Sequence, residues 1–243
     1  MQVKTIGLLG GIGWASSAEY YRVINELINA RLGDAHSARI AMLSMDQFDF
    51  VSRASESTPH AIEQFLIGQV ARLTACGADF FLLCANGAHR FVPAILPHIE
   101  LPFISIVDET AKRVQASGIR NIGLLGVKQT MSGSFYHDSL AARGIAVLTP
   151  HAQDQDILHD IIYSELVHNR ITEKSRDTFL RIMSDLQQKG AEGIILGCTE
   201  IPLLITQDDS PIPVFNTTLI HCEAAVAYAM QVERGTAAAP LRG

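Results

Sequence analysis

Short apolar runs alternate along the chain with longer stretches in which apolar positions recur every three to four residues. The runs at 4–10, 39–44, 79–84, 102–106, 121–126, 145–148, 192–197 and 212–215 are apolar on both faces and predict buried parallel strands. The longer stretches predict helices over about 16–32, 60–76, 88–96, 107–117, 130–143, 154–168, 171–189, 199–206 and 217–232. In 60–76, for example, Ile62, Phe65, Leu66, Val70 and Leu73 share one helical face. Gly118, Gly144 and Gly190 follow predicted helix ends, where a left-handed cap is needed. Alternation of β and α with doubly buried strands indicates a layered α/β fold.

The pattern also repeats. Ile6-Gly7-Leu8-Leu9-Gly10 returns as Ile122-Gly123-Leu124-Leu125-Gly126, at an offset of 116 residues. Residues 77–86 (GADFFLLCAN) return in altered form at 190–199 (GAEGIILGCT), at an offset of 113. Two matches in the same order indicate internal duplication, and the period is far too long for a solenoid. The expected architecture is therefore two pseudo-symmetric three-layer α/β/α domains, each with a mainly parallel four-stranded sheet. Ligands of such sheets bind beyond the carboxyl ends of the strands. That places Gly10–Ser17, Ser44–Asp46, Ala85–His89, Lys128–Thr130 and Cys198–Glu200 on the site face. The repeat sets Cys198 against Ala85, so one half carries a thiol that the other lacks.

Composition narrows the class. Of 243 residues, 48% are apolar and 18% charged, which suits a folded core rather than disorder. Net charge is −6 with no basic run, which argues against a nucleic-acid surface. No apolar stretch is long enough to span a bilayer, so no membrane contact is expected. The N-terminus enters a strand directly, without the pattern of a signal peptide, and a cytoplasmic location is expected. Cys76, Cys84, Cys198 and Cys222 lack zinc-ligand spacing and are expected as free thiols, with no metal.

Three segments carry chemistry. Gly10-Gly11-Ile12-Gly13-Trp14-Ala15-Ser16 half-matches a dinucleotide fingerprint, but Ser16 stands where the third glycine belongs and no acidic residue follows at the right distance. A tight turn whose backbone N–H groups, at Gly11 for instance, hold a carboxylate fits better. Gly197-Cys198-Thr199-Glu200 puts a cysteine between a strand and a predicted helix, where the helix dipole would lower the thiol pKa. The alternative is a structural cysteine with Thr199 as a plain N-cap. Cys84-Ala85-Asn86-Gly87-Ala88-His89 is the matching edge. If Ala85 faces the cleft, alternation turns Cys84 toward the helices. Asn86 and the N–H groups of Gly87 and Ala88 can hold an anion. His89 is a candidate for polarising the site or, equally, a cap. Thr130 follows the strand that opens the second half and is placed to reach the cleft. Trp14 and Tyr136 read as packing, and the acidic residues of 154–165 as solvated helix faces.

On these residues the chain resembles the aspartate/glutamate racemase superfamily, in the amino-acid racemase branch related to aspartate racemase. The carrying segments are Gly10–Trp14 with Tyr20-Tyr21, Asn86–His89, Gly197–Pro202 and Phe215–Thr218. The resemblance covers nearly the whole chain. It implies an interdomain active site, no cofactor, a homodimer, and an amino acid or related carboxylate as substrate. It implies domains at 1–112 plus 216–236 and at 113–215, the final helix returning to the first domain and 237–243 forming a loose tail. It also implies a two-base proton transfer in which Cys198 is the second-half base, with substrate contacts around Gly11, Ala85, Asn86, Gly87, Thr130 and Thr199. Three positions depart from the family pattern. Ala85 replaces the first-half base, Gly87 replaces a threonine, and Ile162–Val167 lacks the lysine of acidic-substrate enzymes. Cofactor-independent amino-acid racemisation is the leading expectation. The alternatives are a single-cysteine isomerase or decarboxylase of a small carboxylate, or a catalytically impaired binding homologue. For the missing proton donor beside Ala85, the candidates are water, Cys84 after a bend of the strand end, and His89.

Overall fold

The computed structural model describes residues 3–55 and 60–231. The first half runs β1 (Ile6–Gly10), α1 (Trp14–Leu32), β2 (Ile40–Ser44), α2 (Gln47–Ala54), α3 (His60–Ala75), β3 (Phe80–Leu83), the single turn α4 (Val92–Ile95) and α5 (Ile106–Ala116). The second runs β4 (Asn121–Leu125), α6 (Lys128–Ser132), α7 (Ser134–Ala141), β5 (Ala146–Leu148), α8 (Ala152–Ser164), α9 (Glu173–Gln188), β6 (Gly193–Leu196), β7 (Val214–Asn216) and α10 (Thr217–Ala229). The proposed tail at 237–243 lies outside the described residues.

Both sheets are parallel and wound alike. The first has the order β2-β1-β3, the second β5-β4-β6-β7. The repeated pentapeptides are the central strands: Ile6 pairs with Phe80 in one sheet and Ile122 with Gly193 in the other. The first sheet departs from four strands. The predicted strand at 102–106 contributes one parallel bridge, Phe81 to Phe103, in the place that β7 holds beside β6. Pro102 has no N–H to give the ladder, and its carbonyl accepts from Phe81 N at 2.9 Å before α5 begins at Ile106.

Four apolar clusters hold the layers. α3 buries Ile62, Leu66, Val70 and Leu73 against Leu9, Phe81 and Leu83. Each such side chain contributes roughly 1.5–3 kcal/mol on leaving water. α10 packs Cys222, Ala225, Val226 and Ala229 against Ile6, Leu8 and Tyr20 of the first half. Among the described residues no helix is long and apolar enough to cross a membrane.

Some predicted helices take other forms. The 88–96 segment is a 3₁₀ stretch, Asn86–Phe91, that runs into the single turn α4. The 130–143 helix breaks at Gly133 into α6 and α7. The 199–206 segment holds a short 3₁₀ turn, Ile201–Leu203, with Pro202 at its start. Ile201, Leu204 and Ile205 are buried together at helical spacing, which is why the pattern reads as a helix. One helix, α2, was not predicted. Phe50, Val51 and Ala54 share one face, but eight residues are shorter than the window over which a helical period is read.

Two buried histidines tie α5 and α10 to the first sheet. His221 Nε2 donates to Ile104 O at 2.8 Å, so its Nδ1 accepts from Tyr20 O–H at 2.8 Å. His89 Nδ1 donates to Ala85 O at 2.9 Å, and its Nε2 accepts from Ile106 N at 3.3 Å. Both rings are therefore neutral. Burial lowers His89 from 6.5 to about 4, and burial together with His89 lowers His221 to about 3. The unfolded chain binds protons near pH 6.5 while the native rings do not, so stability is full above that pH and declines as pH falls toward 4 and 3. At pH 5 the loss should be about 2 kcal/mol per ring relative to pH 7.5. Urea unfolding at the two pH values, with NMR titration of the imidazole C–H signals, checks this. Either ring titrating above pH 6 would contradict it.

Candidate active site

The carboxyl ends of β1, β3, β4 and β6 and the helices α2 and α8 enclose one cavity of ≈ 230 Å³. That is below the 300–1,000 Å³ typical of drug-sized sites, so it suits a small molecule. Ala85, Asn86, Gly87, Thr130, Cys198 and Thr199 all line it, from both halves of the duplication.

Gly11 does not line it. Its φ is +86°, and an added Cβ would lie 2.0 Å from Met45 O. Glycine is needed there to turn the chain beneath Met45, since other residues avoid this backbone region. Its N–H is already given to Ser17 Oγ at 2.8 Å, so it has no donor for a ligand carboxylate. The neighbouring Gly13 and Ser16 line the cavity in its place. Ser16, the residue that spoils the dinucleotide fingerprint, donates to Glu200 Oε1 at 3.1 Å across the two halves and is in contact with Thr199 Oγ1. Trp14 is not a packing residue: it is 71% exposed.

Cys198 follows β6 directly. Gly197 before it allows Thr130 to approach: a Cβ on Gly197 would meet Leu125 O at 2.7 Å and Thr130 Cγ2 at 3.0 Å. The thiol donates to Glu200 Oε2 at 2.9 Å, and Thr199 Oγ1 donates to the same oxygen at 2.7 Å. The helix-dipole expectation for this thiol is reversed. A 3₁₀ turn of three residues has little dipole to offer. Burial, and then the Glu200 carboxylate beside it, push the Cys198 thiol well above its ordinary value. The resting group is a thiol hydrogen-bonded to a carboxylate.

Asn86 is oriented by a chain of hydrogen bonds between the halves. Thr217 Oγ1 gives its proton to Leu196 O at 2.8 Å, so it accepts from Asn86 Nδ2 at 3.2 Å. Asn86 Oδ1 accepts from Tyr136 O–H at 2.6 Å. One N–H of the amide remains for a ligand. Tyr136, expected to be packing, is buried and also fixes this amide. Thr130 Oγ1 is buried with no hydrogen-bond partner among the described residues, which leaves it for a ligand as well. The first-turn N–H groups after Ala85 likewise have no partner inside their own turn.

The candidates for the absent first-half base separate clearly. Cys84 is buried among Ile6, Leu8 and Cys222 on the far side of the sheet, and burial raises its thiol strongly. His89 does not line the cavity, and both of its ring nitrogens are engaged. Neither lines the cavity beside the Ala85 methyl. The sequence reading put Ser16 and Glu200 on the site face but gave them no role, and it did not place Tyr163 there. Glu200 had a signal, as the acidic residue two positions past the thiol; Tyr163, half-exposed and raised by burial and by Cys198 and Glu200, had none.

This site sits in a fold shared with solved proteins. The chain matches a Yersinia pestis crystal structure, provisionally named an Asp/Glu racemase, at 39% identity with a TM-score of 0.88 over 94% of this chain and 100% of that one. A structure of an aspartate racemase homologue from Pyrococcus horikoshii matches at 28% identity and TM-score 0.84, over 94% and 100% of the two chains. Duplicated α/β halves that close on one thiol thus place the protein in the racemase class. By sequence, the broad specificity amino-acid racemase RacX of Bacillus subtilis is 20% identical over 91% of this chain and 96% of its own length. The family described as Asp/Glu/Hydantoin racemase matches residues 9–225, and the chain belongs to that family.

The Glu200 carboxylate should keep Cys198 slow toward iodoacetamide at neutral pH. Mass spectrometry should find it labelled at least tenfold more slowly than the exposed Cys76. Glu200→Gln should raise the Cys198 rate several-fold. An unchanged rate would contradict the electrostatic link.

Proposed function

We propose that the protein is a cofactor-independent amino-acid racemase, or a close derivative, in which the Cys198–Glu200 pair moves the α-proton from one face only. The carrying observation is the Cys198 Sγ donating to Glu200 Oε2 at 2.9 Å inside a cavity that Ala85 lines from the other half.

The chemistry follows from the groups present. The substrate carboxylate is held by the spare Asn86 N–H, Thr130 Oγ1 and the N–H groups after Ala85. Cys198 passes its proton to Glu200, and the resulting thiolate takes the α-proton. The electron pair left on the α-carbon spreads into the bound carboxylate. Return of the proton from Cys198 restores the starting configuration. Delivery from a water molecule beside Ala85 inverts it, because the Ala85 methyl cannot carry a proton; the hydroxide left behind is neutralised by the proton held on Glu200, which restores the resting thiol and carboxylate. A positioned acid–base group contributes about 10²–10⁴-fold, so inversion should be slow relative to exchange. Ala85 equally favours a second reading, a single-cysteine isomerase or decarboxylase of a small carboxylate, which needs a proton from one face only.

A panel of L-amino acids in D₂O tests this, with α-deuterium read by NMR and configuration by chiral chromatography. Exchange should fall at least 100-fold in Cys198→Ser. Ala85→Cys should raise inversion at least tenfold while exchange changes little. Exchange that survives Cys198→Ser would rule out the assigned base. Inversion unmoved by Ala85→Cys would point to the second reading.

A further inference from the structure

The cavity has a polar floor and an apolar wall, and the two are built from different elements. The floor is the set of strand ends that carry Asn86, Thr130 and Cys198. The wall comes from α2 on one side, with Phe50, Val51, Ala54 and the uncharged Gln47, and from α8 and the turn after it on the other, with Ile162, Val167 and the ring of Tyr163. Each side is the edge of a core. Phe50 belongs to the first-half cluster against which Ile12 and Ala85 pack. Ile162 belongs to the second-half cluster against which Val127, Val167 and Cys198 itself pack. The cavity is thus a gap between two apolar cores, immediately beside the reactive sulfur.

Among the described residues, two charged side chains line this gap, Glu200 and Arg90. Glu200 is committed to Cys198, Thr199 and Ser16. Arg90 is exposed to solvent, with its guanidinium 4.6 Å from the centre of the Phe91 ring. An acidic side chain placed here would give up its water against Phe50 and Ile162, a cost that a single exposed cation offsets poorly. An apolar side chain would close the gap between the two cores and gain by leaving water.

From this we infer that the wall of α2 and α8 is a side-chain subsite for apolar amino acids of roughly leucine or methionine size. The assignment rests on the proposed amino-acid chemistry at Cys198. Its test therefore has one arm that needs turnover and one that does not. In the first, kcat/KM for α-deuterium exchange should be at least tenfold higher for L-leucine or L-methionine than for L-aspartate or L-glutamate. Val51→Arg, at a half-exposed position, should lower that ratio at least tenfold. In the second, calorimetry compares two unreactive carboxylates, 4-methylpentanoate and glutarate, on the unmodified protein. The branched monocarboxylate should bind at least tenfold more tightly. Exchange that favours the acidic amino acids, or a ratio unmoved by Val51→Arg, overturns the subsite while leaving the proton chemistry standing. No exchange with any amino acid, together with tighter binding of 4-methylpentanoate, upholds the subsite and places the failure on the chemistry. Glutarate binding as well or better, or no binding of either, overturns the subsite.

Discussion

The Glu200 carboxylate is the junction on which the site depends. It accepts from Cys198 and Thr199 on its own half and from Ser16 on the other. It is buried, so its hydrogen bonds are not shared with bulk water and their loss would leave a desolvated charge. One group therefore does three things. It fixes the rotamer of the thiol, it holds the thiol protonated at rest, and it pins the glycine turn of the first half to the strand end of the second. Proton transfer from sulfur to this carboxylate is the only step needed to generate the thiolate.

A second set of hydrogen bonds, through Tyr136, Asn86, Thr217 and Leu196, does for the Asn86 amide what Glu200 does for the Cys198 thiol. Both sets join the two halves. The cleft edge is thereby fixed by polar contacts at the strand ends, while behind it apolar clusters join the halves through α5 and α10.

Much of this was legible in the sequence because duplication and parallel strands leave strong traces. Repeated pentapeptides marked both central strands, and the strand-end rule located Ala85, Asn86, Thr130 and Cys198 in one place. What the sequence hid was hidden for physical reasons. A helix such as α2 is only eight residues long, too short for its apolar face of Phe50, Val51 and Ala54 to stand out as a period. A 3₁₀ turn that buries Ile201, Leu204 and Ile205 shows the spacing of an α-helix without its dipole, and so the expected shift of the Cys198 thiol had the wrong sign. Gly11 looked like an anion-binding turn because spacing cannot show that Ser17 already takes its N–H. His89 looked available because burial and both of its partners come from tertiary contacts.

The asymmetry first visible as a mismatch in a repeat now has a structural meaning. Beside Cys198 stands a carboxylate that accepts its hydrogen bond; on the matching edge stands the Ala85 methyl, and its neighbours Cys84 and His89 belong to the core. The most direct measurement is the ratio of α-deuterium incorporation to inversion, followed from the start of the reaction of a single L-amino acid in D₂O with the unaltered protein. The account predicts deuterated L-isomer forming about 100-fold or more faster than D-isomer, the handicap of one missing acid–base group. Equal rates of exchange and inversion would require a matched donor on the Ala85 face and would contradict it.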